Sequence, residues 1–385
     1  MAAKPRFDGE WVRLGELTKC ISKKNKDGHC TTVCSVTNSQ GFVLSTEYFS
    51  KEVFSKELRS YKLVERNQLA YNPSRINVGS IALQDIDDEV VVSPLYVVFS
   101  VDANRIDPAY LLRYLKSSPG LNQVEFQSIG TVRNNLKYDG LCRIPIFLPP
   151  LEAQRSRVRS LIALETEIKD AEGLLSKLDA LVKSRFVEMF GDPTVPDGSW
   201  PVSRLDGFTK IITGNTPSRK HTEYYGDGIE WVKTDNIVDS AITIASERLS
   251  EIGRSKARVA PMGSVLMACI AGSVKSIGKV GLLDREAAFN QQINAIVPTD
   301  VVDSRYLLTM FTLSKNYLCS DVNQQLKGIL NKSSLSSKQF PLPPLALQQE
   351  FASFVAEVDK SRFIVQKQIE KLQMLYDSLA QEYFS

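Results

Sequence analysis

Two stretches of the chain carry the same alternation of apolar positions. In the first, Leu161, Leu164, Ile168, Ala171, Leu175, Leu178 and Val182 recur at spacings of three and four, the seam of a helix that pairs with another helix. In the second, Val355, Val358, Arg362, Val365, Ile369, Leu372 and Tyr376 stand at the corresponding places, with Arg362 interrupting the seam opposite Ile168. Pro149-Pro150 and Pro343-Pro344 precede the two stretches, where proline is tolerated in a first helical turn. A helix from about 150 to 190 would be about 60 Å long at 1.5 Å per residue. That length suits a spacer better than a globular core. Each helix could pack on its own domain; the favoured expectation is that the two pair antiparallel and hold two domains apart.

A shift of 194 residues superimposes these stretches without a gap, with eleven identities among the 43 positions of 148–190, including Leu148-Pro149-Pro150-Leu151 on Leu342-Pro343-Pro344-Leu345 and Gln154 on Gln348. The shift is half the chain length and marks a tandem duplication. Upstream, Arg13-Leu14 and Thr18-Lys19 match Arg204-Leu205 and Thr209-Lys210, while Asp107, Tyr110 and Leu111 match Asp303, Tyr306 and Leu307. The shift varies there, as loop insertions on a shared framework require. Segments 10–147 and 200–340 mix short strand-like runs, such as Glu89–Val92 and Tyr96–Phe99, with short helical ones. The expected fold class is therefore α+β: two domains in tandem (1–148 and 193–341), each followed by a long helix (149–192 and 342–385), with pseudo-twofold symmetry.

Composition narrows the function classes. The 385 residues are 24% charged and 43% hydrophobic, ordinary for a globular chain, and no apolar run approaches the length of a membrane-spanning helix. The start, Met1 to Asp8, lacks the apolar stretch of a secretory signal, so a cytoplasmic location is expected. A net charge of +3 permits nucleic-acid binding only if the basic residues cluster. Six cysteines in a chain this long make no disulfide framework, and Cys20, His29, Cys30 and Cys34 read as small thiols and a surface imidazole rather than a metal site.

Catalytic signatures fail in turn. Gly272 to Gly281 has five residues between its first two glycines where a phosphate loop has four, and Val280 stands where a hydroxyl should hold magnesium. It reads instead as a mobile basic loop carrying Lys275 and Lys279. Leu148-Pro149-Pro150-Leu151 has leucine on both sides, so it cannot orient a base amine as an adenine methyltransferase motif does.

Loops that combine basic side chains with amides recur instead. The first domain offers Lys23, Lys24 and Lys26; Asn72, Arg75 and Asn77; and Arg133, Asn134, Asn135 and Lys137. The second offers Asn215, Arg219 and Lys220; Lys233, Thr234 and Asn236; Lys275 and Lys279; Gln292; and Lys327 and Lys332. Lysine and arginine hold phosphates, arginine also reads guanine, and a carboxamide presents the donor and acceptor that adenine requires. Lys275, Lys279, Lys327 and Lys332 are expected on phosphates; Asn215, Arg219, Asn236 and Gln292 suit base edges, with a packed framework role for Gln292 equally open.

In their order along the chain, Leu69-Ala70-Tyr71-Asn72-Pro73, Val92-Ser93-Pro94-Leu95-Tyr96, Phe147-Leu148-Pro149-Pro150-Leu151, Glu188-Met189-Phe190-Gly191-Asp192, Thr213-Gly214 with Thr216-Pro217-Ser218, Tyr224-Tyr225-Gly226, Trp231-Val232-Lys233-Thr234 and Phe289-Asn290-Gln291-Gln292-Ile293 resemble the specificity subunit of type I restriction-modification systems. The resemblance covers essentially the full chain. It implies two target-recognition domains that read double-stranded DNA and two helical regions forming an antiparallel coiled coil, with no catalysis by the chain itself. Two methylation subunits carrying S-adenosylmethionine would assemble on it. Restriction subunits, with ATP and magnesium, would join through them. Two other classes stay open: the recognition part of a fused methyltransferase-nuclease whose catalytic part lies elsewhere, and a bridging protein that does not touch DNA. On the favoured reading the target is bipartite and asymmetric. The seam from Leu161 to Val182 would rise about 32 Å, near the ~34 Å of one duplex turn.

Overall fold

The computed structural model describes residues 8–48, 55, 57–128, 135–242, 245–270, 276–320 and 329–385. The chain divides into two compact units: residues 1–172 with 367–385, and residues 173–366. Two helices of 40 residues, Leu151–Phe190 and Leu345–Phe384, each contribute to both. No described helix is long and apolar enough to cross a membrane.

In unit 1 the central sheet is antiparallel throughout, in the order Thr18–Ile21, Val97–Val101, Leu69–Tyr71, Ile81–Leu83. Three two-stranded pieces flank it, pairing Glu10–Arg13 with Pro145–Leu148, Cys34–Thr37 with Gly41–Leu44, and Lys62–Glu65 with Glu89–Val92. Helix Pro108–Lys116 starts where Asp107 accepts from the N–H groups of Ala109 (2.9 Å) and Tyr110 (3.2 Å), with proline at its first position. Its buried face, Tyr110, Leu111, Tyr114 and Leu115, joins Leu14, Leu69, Tyr71, Phe99 and Ile146 in the main core. Val158 and Leu161 from the first long helix and Ala380 and Phe384 from the second close that core. The two helices therefore meet antiparallel within the unit. Arg157 donates to the Tyr383 carbonyl at 2.9 Å, and Tyr376 donates to Glu165, which also accepts from Arg113.

Unit 2 has a five-stranded sheet in the order Thr209–Thr213, Ile293–Pro298, Val265–Ala268, Val280–Leu283, Ala241–Ile242, with only the last pair parallel. A four-stranded sheet runs Glu247–Leu249, Tyr225–Val232, Ala287–Phe289, Val259–Ala260. Helix Ser304–Leu313 is capped by Asp303 as its counterpart is by Asp107. Its Tyr306 stacks on Phe186 of the first long helix (5.2 Å between ring centres), and Phe186 meets Phe351 of the second edge-on at 5.4 Å. Here again the helices are antiparallel. Arg185 reaches Glu350, and Arg362 reaches Asp179 at 2.6 Å.

The seam side chains face inward along both helices. Leu161, Ala171, Val182, Val355, Val358 and Val365 are buried; Leu164, Ile168, Leu175, Leu178, Ile369, Leu372 and Tyr376 are half-buried. Arg362, which interrupts the apolar pattern, lies between Asp179 and Asp359, so the guanidinium is matched by carboxylates on both helices.

Several framework bonds recur in both units. In unit 1 the Thr18 hydroxyl donates to the Leu14 carbonyl, and Tyr110 donates to the Phe147 carbonyl. In unit 2 Thr209 donates to Leu205 and Tyr306 to Pro341. The outer strand pairs Glu10–Arg13 with Pro145–Leu148 and Val202–Arg204 with Gln339–Pro341 are counterparts, each delivering the chain into a long helix.

Candidate nucleic-acid interface

In unit 2 three of the basic, amide-bearing loops come together at the end of the four-stranded sheet. Strand Tyr225–Val232 places Trp231 beside Glu247 in antiparallel register, and the chain then turns through Lys233–Asn236. Loop 213–220 crosses the same region. It is fixed from below by the N–H of Asn215, which donates to the Phe289 carbonyl at 3.2 Å, and by the N–H of Gly214, which donates to Ile293 at 3.0 Å. Only glycine fits at 214, since a Cβ would stand 2.2 Å from the Asn290 carbonyl oxygen.

Glu247 organises the cluster. Its Oε2 accepts from Arg219 Nη2 at 2.6 Å and its Oε1 from Lys233 Nζ at 2.7 Å. The Arg219 guanidinium also lies 4.7 Å from the Tyr225 ring centre and 5.6 Å from that of Trp231, cation–π range for both. Tyr225 is anchored in turn by its hydroxyl, which donates to the Pro217 carbonyl. The bonds from Lys233 and then Arg219 hold the Glu247 carboxyl below its ordinary range despite partial burial. Arg219 stays 59% exposed beyond this anchorage.

The amides play a different part. Asn215 donates to the Lys256 carbonyl at 2.7 Å and accepts from the Arg258 N–H at 2.6 Å, so it ties two loops together. Asn236 accepts from the Lys233 N–H and donates to Ser246. Gln292 accepts from the Asn290 side chain at 3.2 Å, while its carbonyl receives the N–H groups of Cys269 and Ile270. Thr234 opens the turn that Asn236 closes, and Lys220 is exposed. Lys279 leads into strand Val280–Leu283, and Lys332 begins helix Lys332–Ser337, which packs on helix Leu205–Phe208. Neither belongs to the Glu247 cluster.

Unit 1 gathers its residues into two groups. Lys23 bonds Glu65 (3.0 Å) and Glu89 (3.2 Å), and Glu89 also meets His29, whose other ring nitrogen faces Asp27 at 2.7 Å. The bonds the ring makes to the Asp27 and then the Glu89 carboxylate raise the His29 pKa above 6.5. Lys24 and Lys26 are exposed on the same segment, between which Asn25 is buried and bonded to the backbone of Cys30. In the second group the Leu136 N–H donates to the Pro73 carbonyl, bringing Asn135 and Lys137 beside Asn72, Arg75 and Asn77. Arg75, Asn77 and Lys137 are exposed, and Asn72 accepts from the Ser74 N–H. Arg133, Asn134, Lys275 and Lys327 lie outside the described residues.

Glu247, Tyr225 and Trp231 had no place among the residues expected at the site. A lone glutamate in a short strand gives no signal until the strand partner is known; the pairing with Trp231 supplies it.

The comparisons agree with this architecture. Residues 198–374 match the family model described as the type I restriction modification DNA specificity domain. The type I restriction enzyme HindI specificity subunit of Haemophilus influenzae is 22% identical over 383 aligned residues, covering 78% of this chain and 81% of that protein. The putative type I restriction enzyme MjaX specificity subunit of Methanocaldococcus jannaschii is 21% identical over 388, covering 94% and 88%. Among solved structures, the S subunit of a type I restriction-modification system from M. genitalium shares the fold with a TM-score of 0.58 at 12% identity, covering 100% of this chain and 98% of that one. A chain from a structural study of type I R-M complex assembly and conformational transition gives 0.59 at 19%, covering 99% and 98%. With its duplicated framework, its paired long helices and a specificity-domain match over residues 198–374, the chain is similar to the specificity subunits of type I restriction-modification systems.

Proposed function

We propose that this chain selects a bipartite, asymmetric DNA target, each unit reading one half, and that it performs no chemistry of its own. Two methylation subunits would assemble on the helical regions and supply S-adenosylmethionine and the adenine-methylating site. Restriction subunits, with ATP and magnesium, would join through them. The observation that carries this reading is a framework repeated bond for bond in both units, on which the loops differ: the Gln–Asp and Tyr–carbonyl contacts recur, whereas the Arg219–Glu247–Lys233 cluster of unit 2 and the Lys23–Glu89–His29 cluster of unit 1 do not resemble each other. One scaffold with two unlike reading surfaces suits a target with two unlike halves.

The test is mapping of methylated adenines in DNA treated with the chain plus its methylation subunits. A two-part motif with unspecified bases between its halves is expected, and exchange of the loops of residues 200–340 should alter one half only. Methyl transfer by the purified chain alone, or changes in both halves after that exchange, would end the reading.

A further inference from the structure

We infer that Arg219 reads a guanine in the half-site assigned to unit 2, and that Glu247 is the positioning residue that makes it a reader rather than a general phosphate contact. The inference rests on the DNA-recognition reading and deepens it.

A free arginine on a surface samples many rotamers, and its charge attracts phosphate without regard to sequence. Reading guanine demands two parallel N–H donors held in one plane toward O6 and N7. Arg219 meets that demand in three ways. Its Nη2 is pinned to Glu247 at 2.6 Å. Its plane is constrained by Tyr225 and Trp231, at 4.7 and 5.6 Å from the ring centres. Its side chain nevertheless remains 59% exposed. A guanidinium carries five N–H donors in two forks that share Nη2. A single bond from Nη2 uses one hydrogen and leaves one complete fork for a base edge.

Glu247 is poorly placed to contact a base itself. Both of its oxygens accept from side chains of the same unit, Arg219 and Lys233, and its side chain is only 29% exposed, half as much as that of Arg219. An anionic group on a DNA-facing surface weakens binding to every sequence by repulsion. Its presence between two cations there is accounted for by what it does to their geometry. Lys233, a compact ammonium on Oε1, keeps the carboxylate charged and in place, and so fixes Arg219 from behind.

The experiment uses the full chain assembled with its methylation subunits, comparing the wild type with Glu247→Gln and Arg219→Lys on duplexes of the mapped motif. The expected motif carries a guanine in the half read by unit 2, and 7-deazaguanine there, which lacks the N7 acceptor, should slow modification about tenfold. Both variants should relax the choice of base at that one position by about tenfold, respond little to 7-deazaguanine, and leave the other half unchanged. If Glu247→Gln tightens binding to all sequences alike and keeps the guanine preference, Glu247 is only a screening charge and the inference is overturned. A unit 2 half-site without guanine overturns it equally. Should Glu247→Gln melt early, Arg219→Lys decides alone, because it keeps the charge and removes only the fork. An assembled wild type with no sequence preference in either half would instead bring down the underlying DNA-recognition reading.

Discussion

The side-chain oxygen of Gln348 accepts the backbone N–H of Asp303 at 2.9 Å, and in unit 1 Gln154 accepts that of Asp107 at 2.8 Å. Both glutamines are fully buried in the first turn of a long helix, and both aspartates cap the helix that carries the core tyrosine. The amide nitrogen of Gln348 also donates to the carbonyls of Pro343 (2.7 Å) and Val301 (3.2 Å). One side chain thus joins the start of the long helix, the Pro-Pro turn and the capped helix.

Gln348→Ala should lower the stability of the chain by about 2–3 kcal/mol, because it leaves a buried N–H and two carbonyls without their partner. Gln154→Ala should cost a similar amount. Urea denaturation read separately on the two units, through tryptophans placed in each, checks both; a loss under about 0.5 kcal/mol would deny the glutamines their clamping role.

Arg362→Ile places at the interrupted seam position the residue type found at Ile168, and should leave stability unchanged or raise it by up to about 1 kcal/mol. The half-exposed ion pair contributes little on balance, and an apolar side chain of fitting size usually replaces such a pair without loss. Asp179→Ala, which removes one carboxylate and keeps the guanidinium in the seam, should destabilise. Thermal melting of the two variants decides the matter, and the expectation fails if their order is reversed.

Gly214→Val should disturb recognition more than folding of the rest. The new side chain collides with the Asn290 carbonyl and the Phe289 ring, which displaces loop 213–220 and with it Asn215 and Arg219. The expected outcome is loss of discrimination in one half of the target by tenfold or more with the other half intact. Unaltered methylation patterns would show that the loop does not contribute.

His29 should make stability fall as pH rises. Hydrogen bonds donated to the Asp27 and Glu89 carboxylates favour the charged imidazole, so its pKa in the folded chain exceeds the unfolded value. The stabilisation is then fully present below 6.5 and disappears as pH climbs through the raised folded value. His29→Asn should flatten the stability profile across that window. NMR titration of the His29 ring gives an independent check: a midpoint at or below 6.5 contradicts the expectation.

The long helices were legible because a seam repeating at three and four states both the element and its buried side, and because the Leu-Pro-Pro-Leu repeats fix where each begins. The cap residues Asp107 and Asp303 were visible as part of the repeat, though what each shares with its counterpart, a backbone N–H that donates to a buried glutamine 47 or 45 residues onward, is a tertiary fact. The candidate interface was less legible. Sequence composition marks Asn215 and Asn236 as potential base contacts, yet both carboxamides are engaged inside the unit. An amide offers the same donor and acceptor to a backbone as to a base, and nothing local in sequence tells the two uses apart. Glu247 escaped for the converse reason, since its part depends on two cations brought to it by different strands.

Unit 1 is not one continuous segment: residues 8–172 find their closing side chains, Ala380 and Phe384, only after all of residues 173–366 have passed. On the ribosome, the segment synthesised first therefore waits for the segment synthesised last, with Tyr110 and Tyr114 uncovered in the meantime. Unit 2, contiguous from 173 to 366, has no such delay. A stop codon near residue 366 would leave unit 2 whole and unit 1 open, which makes nascent-chain proteolysis an informative assay of the order in which the two units mature.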